Sequence, residues 1–205
     1  MFALIAPACA AAPVQLLAFG DSLTAGYGLA PDEGFVPQLQ AWLADRGRDV
    51  AVVNGGVSGD TTAGGKARIG WALSDQVDAM ILTLGGNDLL RGIAPEDARA
   101  NLDAIIQTAL ARNIPVLLVP MSAPGNFGPD YKAAFDAIYP DLAAKYGLHL
   151  AQPFLQPILD LPDRKAAFAE YVQRDGLHPN SKGVALVVAA LGPEVLGLID
   201  GLKAR

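Results

Sequence analysis

Val14-Gln15-Leu16-Leu17-Ala18-Phe19-Gly20-Asp21-Ser22-Leu23-Thr24-Ala25-Gly26-Tyr27-Gly28 changes character at its middle, and that change sets the fold. Residues 14–19 form an apolar run closed by glycine, the pattern of a buried strand. The second half is turn chemistry. A serine one turn beyond such a strand sits on an exposed corner, at the sheet edge where α/β proteins hold ligands. The neighbouring glycines let the backbone approach a substrate closely. Ser22 is therefore a candidate nucleophile. Gly, Asp, Ser and Thr are also common turn and cap residues, so an ordinary strand-to-helix turn competes with that reading.

Outward from this stretch, apolar runs alternate with helical spacings. Phe35, Val36, Leu39, Trp42 and Leu43 recur at helical spacing and stop near Gly47. Residues 50–53 give a second short strand, and a glycine-rich loop follows, in which Asp60 or Thr61 can cap a helix running toward Leu73. Residues 79–84 make a third strand that opens onto Gly85-Gly86-Asn87-Asp88. Pro95 suits the first turn of the next helix, whose inward face is Leu102, Ile105, Ile106 and Ala109. Residues 115–119 form the fourth strand. Tyr131, Phe135, Ile138, Leu142 and Tyr146 then line a helix that Pro140 should kink and Gly147 should end. A fifth strand is expected at residues 148–151. The polar loop Asp175-Gly176-Leu177-His178-Pro179-Asn180 leads into an apolar helix from Ser181, with a separate short helix after Pro193.

Strands alternating with helices imply a parallel sheet with right-handed crossovers, covered on both faces. The expected fold class is α/β: a three-layer αβα sandwich. If its five strands take the flavodoxin-like order 2-1-3-4-5, the first and third flank the switch point where a crevice opens.

Composition supports a globular chain: of 205 residues, 52% are hydrophobic and 18% charged. One domain of this length buries roughly 70% of its unfolded surface. The formal net charge of −6, with no basic run, disfavours nucleic acid as a partner. The single cysteine, Cys9, excludes a disulfide framework and a thiolate metal site. No metal and no cofactor is expected.

Residues 1–12 are apolar, rich in small side chains, and followed by Pro13. They are shorter than the roughly 20 apolar residues of a membrane span. They resemble the end of a secretory signal peptide, with Ala8-Cys9-Ala10 as a cleavage site, and point to a periplasmic or secreted protein. Cys9 also fits a lipoprotein anchor, although Pro7 makes a poor approach to one. The mature domain is expected over residues 13–205, without a stable membrane span.

In a parallel sheet the loops after each strand share one edge, so Ser22, Gly59 and Asn87 converge on it. A serine needs a neighbouring base, and the chain holds two histidines. His149 lies on an apolar strand and reads as a packed histidine. His178 lies three residues after Asp175, a spacing that lets the carboxylate accept from Nδ1 while Nε2 takes the serine proton. A capped loop before the last helix is the competing reading. Asn87 fits an oxyanion donor beside the N–H groups of Gly59 and Ser22, or a turn asparagine after two glycines. Ser58 is a poorer nucleophile, since Asp60 stands where the glycine of a Gly-x-Ser-x-Gly elbow belongs. Lys66 lacks the Ser/Thr of a phosphate loop.

Gly20-Asp21-Ser22-Leu23, Gly59 within Ser58-Gly59-Asp60-Thr61, Gly85-Gly86-Asn87-Asp88 and Asp175-Gly176-Leu177-His178-Pro179-Asn180 resemble the four sequence blocks of the SGNH (GDSL) hydrolases. Within them, the chain is similar to the bacterial multifunctional thioesterase I/lysophospholipase L1/arylesterase group, from about Val14 to the final helix. The resemblance implies Ser22 as nucleophile, His178 as base and Asp175 as its partner. It implies an oxyanion hole of the Ser22 and Gly59 N–H groups and the Asn87 side chain. Leu23, Asp88 and Leu89 are expected to bind substrate, with Leu90 nearby. The implied reaction is hydrolysis of acyl esters, and of acyl thioesters or lysophospholipids, through an acyl-serine. The partner is then a small-molecule ester or thioester. A carbohydrate or peptidoglycan O-acetyl esterase is the alternative enzyme, and a binding module without turnover is the alternative from another class.

Overall fold

The computed structural model describes residues 12–202. The segment read as a signal peptide lies almost wholly outside the described residues. Strands β1 (Val14–Gly20), β2 (Val50–Gly56), β3 (Ala79–Thr83), β4 (Val116–Leu118) and β5 (His149–Leu150) form one parallel sheet of order β2-β1-β3-β4-β5. This is the expected doubly wound order.

Burial explains the strand sequences. β3 is buried along its whole length, as are Leu16 to Phe19 of β1, so a central strand needs no polar face. β2 and β5, at the edges, are only partly covered.

The helices are α1 (Ser22–Ala25), α2 (Phe35–Ala44), α3 (Thr62–Ala72), α4 (Gly86–Arg91), α5 (Pro95–Leu110), α6 (Pro129–Asp136), α7 (Ile138–Tyr146), α8 (Gln156–Leu159), α9 (Arg164–Tyr171) and α10 (Ser181–Leu202). α2 packs with α10 on one face, and α3 packs with α5, which meets α7, on the other. Right-handed crossovers require this division. The approach of α10 to α2 is close: a Cβ on Gly192 would lie 2.7 Å from the Trp42 ring.

Register places the site. Gly20 of β1 pairs with Gly56 of β2 and with Thr83 of β3, so three strands end level and release their loops together. Thr61 caps α3 by accepting from the Gly64 N–H, and Pro95 opens α5, both as the sequence indicated.

Three local expectations are corrected. α10 runs unbroken through Pro193. Its buried face continues from Val184, Val187, Val188 and Leu191 to Val195 and Ile199, and that burial outweighs the one backbone bond proline removes. The helix expected to kink at Pro140 breaks earlier, at Ala137, between α6 and α7. The proline ring conflicts with the carbonyl four residues back, on Asp136, where α6 ends. His149 is not packed. It is exposed on the edge strand and bonds the Glu194 carboxylate of α10.

Candidate active site

Ser22 is the first residue of α1, directly after the buried end of β1. Asp21 caps that turn, its Oδ1 accepting from the Leu23 N–H at 3.0 Å. The cap and the strand end together fix the backbone that carries the hydroxyl.

The second half arrives from the other end of the chain. The loop between α9 and α10 is pinched by a bridge between Val172 and Pro179 and by the Gln173 N–H, which donates to the His178 carbonyl at 2.8 Å. Asp175 turns back within this loop. Its Oδ1 accepts from the N–H groups of Leu177 (2.9 Å) and His178 (3.1 Å), and its Oδ2 bonds His178 Nδ1 at 2.6 Å. His178 Nε2 then stands 2.8 Å from Ser22 Oγ, across 156 positions of sequence.

Gln173 joins the two halves. Its Nε2 donates to the Tyr27 carbonyl at 2.8 Å and to the Pro179 carbonyl at 2.9 Å, tying the serine loop to the histidine loop. The Tyr27 ring lies 4.8 Å from the imidazole, centroid to centroid. Sequence reading missed both residues. Glutamine has no pattern of its own, and only its two distant carbonyl partners reveal the role.

The side of the cavity facing the Ser22 turn is built from the loops after β2 and β3. Gly59 has φ +81°, a left-handed conformation that glycine adopts without strain, and its carbonyl accepts from Arg91 Nη2 at 2.8 Å. Asn87, in the first turn of α4, donates from Nδ2 to the Asp60 carbonyl at 2.9 Å. An amide nitrogen carries two donors, so the second is free for the cavity. Gly85, at φ +122°, makes the bend before α4, and the Tyr139 hydroxyl occupies the space a side chain there would need. That hydroxyl donates to the Leu84 carbonyl at 2.8 Å, and burial holds its pKa well above the usual phenol value.

Asp88 does not line the cavity. It is fully buried, and it accepts from the Thr62 N–H at 2.8 Å and the Thr62 hydroxyl at 2.6 Å. Asn101 donates to that same hydroxyl at 3.2 Å. Helical geometry explains the correction: the residue after Asn87 points about 100° away, into the packing between α3 and α4. Leu23 and Leu89 do line the cavity.

The cavity has a volume of about 590 Å³ and is walled mainly by apolar groups, among them Leu23, Leu89, Met121, Pro153, Phe154 and Leu155. Tyr27, Leu90 and Leu177 stand exposed at its rim. Electrostatics separate two aspartates there. Burial raises Asp21 from 3.8 to about 6, against the opposing Leu23 N–H bond and the nearby His178. Asp175 is held below the usual carboxylate value: desolvation pushes upward, but the hydrogen bonds from Leu177 and His178 outweigh it. Among the described residues no group of His, Cys, Asp and Glu is placed to hold a metal ion.

A hydroxyl, an imidazole and a carboxylate in hydrogen-bonded line, at the carboxyl ends of a doubly wound sheet, give the architecture of an α/β acyl hydrolase. The sequence matches the GDSL-like lipase/acylhydrolase family model over residues 18–186, and the chain belongs to that family. It is 41% identical over 170 residues to the esterase TesA of Pseudomonas aeruginosa, covering 82% of this chain and 81% of that protein. It is 34% identical over 193 residues to the thioesterase 1/protease 1/lysophospholipase L1 of Escherichia coli, covering 93% and 88% respectively. Among solved structures, AlinE4, an SGNH-hydrolase family esterase, shares 42% identity with a TM-score of 0.74, over 91% of this chain and 97% of that one. The protein is an enzyme that hydrolyses acyl esters.

Proposed function

We propose that hydrolysis runs through an acyl-serine on Ser22. His178 removes the Ser22 proton, and Oγ attacks the ester carbonyl. The N–H groups of Ser22 and Gly59 and the free amide donor of Asn87 take the charge that develops on the carbonyl oxygen. His178 then protonates the leaving alcohol or thiol, and water repeats the sequence to release the acid. Asp175 holds the imidazole tautomer whose Nε2 faces Ser22 and stabilises its cationic form. The 2.8 Å contact between His178 Nε2 and Ser22 Oγ carries this reading.

The apolar walls favour acyl chains longer than acetyl, supplied as esters, thioesters or lysophospholipids. The experiment is a panel of p-nitrophenyl esters, acyl-CoAs and lysophospholipids of graded chain length. Each methylene seated in the cavity should raise kcat/KM by about fourfold until the cavity is filled. A preference for acetyl groups on sugars, with longer chains rejected, would move the enzyme to carbohydrate O-deacetylation. Folded Ser22→Ala with undiminished ester turnover would end the nucleophile assignment. The small-residue stretch at residues 1–12 supports export to the periplasm or beyond. Terminal sequencing of the mature protein checks it.

A further inference from the structure

Arg68, inside α3, has no task in the chemistry above, yet its guanidinium is largely buried and each of its three nitrogens donates a hydrogen bond. Nε donates to Asp60 Oδ2 at 2.7 Å, Nη1 to the Gly55 carbonyl at 2.8 Å and Nη2 to the Gly20 carbonyl at 2.8 Å. The guanidinium also lies 3.9 Å over the Phe19 ring. These acceptors belong to three segments: the end of β1, two residues before Ser22; the end of β2; and the loop just after Gly59. Asp60 extends the chain of contacts, because its carbonyl accepts from Asn87 Nδ2. Its carboxylate packs over Gly64, where any Cβ would overlap it.

We infer that Arg68 is a positioning residue for the oxyanion donors, holding the Ser22, Gly59 and Asn87 groups in mutual register from behind the cavity. The inference rests on the oxyanion-hole reading given above. Arg68 reaches the Gly59 and Asn87 donors through Asp60, and the Ser22 donor through Gly20 and Asp21. Gly20 leads to Ser22, the Asp60 side chain to the Gly59 loop, and the Asp60 carbonyl to the Asn87 amide. A planar fork meets three acceptors at fixed angles, whereas an ammonium is a point charge that cannot span them. Stacking on Phe19 fixes the plane of the fork. Donors of this kind act by being in place before charge develops, and a displacement of about 1 Å costs on the order of 10²-fold in rate.

The test uses Arg68→Met and Arg68→Lys in the full chain. Active serines are titrated with a fluorophosphonate, and kcat is expressed per titrated serine on p-nitrophenyl butyrate. Thermal melting confirms the fold. The expected result for Arg68→Met is a fall of about 10²-fold in kcat with KM unchanged, partly restored by guanidinium ion added to the assay. Arg68→Lys should fall less but measurably. A merely structural arginine would lower the melting temperature and the titratable fraction while leaving kcat per serine intact. That outcome overturns the inference, and if Arg68→Met does not fold, Arg68→Lys decides by the same criterion. Ser22→Ala is measured alongside. Full turnover in Ser22→Ala would sink the site reading itself. An inactive Ser22→Ala with wild-type kcat in the arginine variants sinks only the role of Arg68.

Discussion

His178 Nε2 and Ser22 Oγ stand 2.8 Å apart, and the imidazole reaches that position with its other nitrogen already bound to Asp175. The ring is thus fixed at both edges. Gln173 ties the loop that presents it to the loop that carries Ser22, and the Tyr27 ring lies beside the imidazole. The geometry is the one the proposed acyl-serine mechanism requires, and its consequences can be measured.

Asp175→Asn should lower kcat by on the order of 10³–10⁴ while leaving the fold intact. An amide can donate to Nδ1, which favours the tautomer with its proton on Nε2, the wrong atom to accept from Ser22. Asp175 is held below the ordinary carboxylate range, so it stays ionised wherever an imidazole titrates. The wild-type rate should therefore show no acid limb from Asp175 itself at any pH where an imidazole titrates. Stopped-flow hydrolysis of a p-nitrophenyl ester reads both, and wild-type kcat in Asp175→Asn would remove the orienting role.

Asn87→Ala should cost on the order of 10²–10³ in kcat with little change in KM, the signature of a donor used in the transition state. The Asp60 carbonyl also loses its partner, so thermal melting belongs beside the kinetics. An effect on KM alone would place Asn87 in ground-state binding.

Asp21 supplies a stability test with a definite sign. Burial raises its folded pKa from 3.8 to about 6, so the folded state holds a proton that the unfolded chain has released. Its contribution is full below 3.8 and is lost as pH rises through about 6. Asp175, held low, has the opposite sign and acts only in acid. Asp21→Asn keeps an acceptor for the Leu23 N–H but cannot ionise. Relative to wild type, the variant should therefore gain on the order of 1–2 kcal/mol between about pH 5 and about pH 8. Urea unfolding at the two pH values measures it, and a constant difference would refute the assigned burial effect.

Asp88→Ala should destabilise by about 1–3 kcal/mol for each Thr62 donor left without an acceptor in the buried contact between α3 and α4. Adding Thr62→Val should recover part of the loss, since the hydroxyl then no longer seeks a partner. Additive losses in the double variant would show that the two side chains are not coupled.

The strand order 2-1-3-4-5 stood in the sequence only as a condition, and the tertiary structure supplies it. The sequence by itself determined the layered α/β architecture and the loops that carry the candidate residues. Each of those follows from local physics: apolar runs closed by glycine, Thr61 and Pro95 at helix starts, and a serine directly after a buried strand. Local physics misjudged α10, where Pro193 reads as a break and a long buried face overrides it. Tertiary structure alone decided that Asp88 turns inward to Thr62 and that His149 faces outward to Glu194. It also decided that Gln173 and Arg68 bridge segments far apart in the chain. The reason is range. Propensity and periodicity act over one turn or one strand, whereas a side chain's partners are set by which surfaces the strand order brings together.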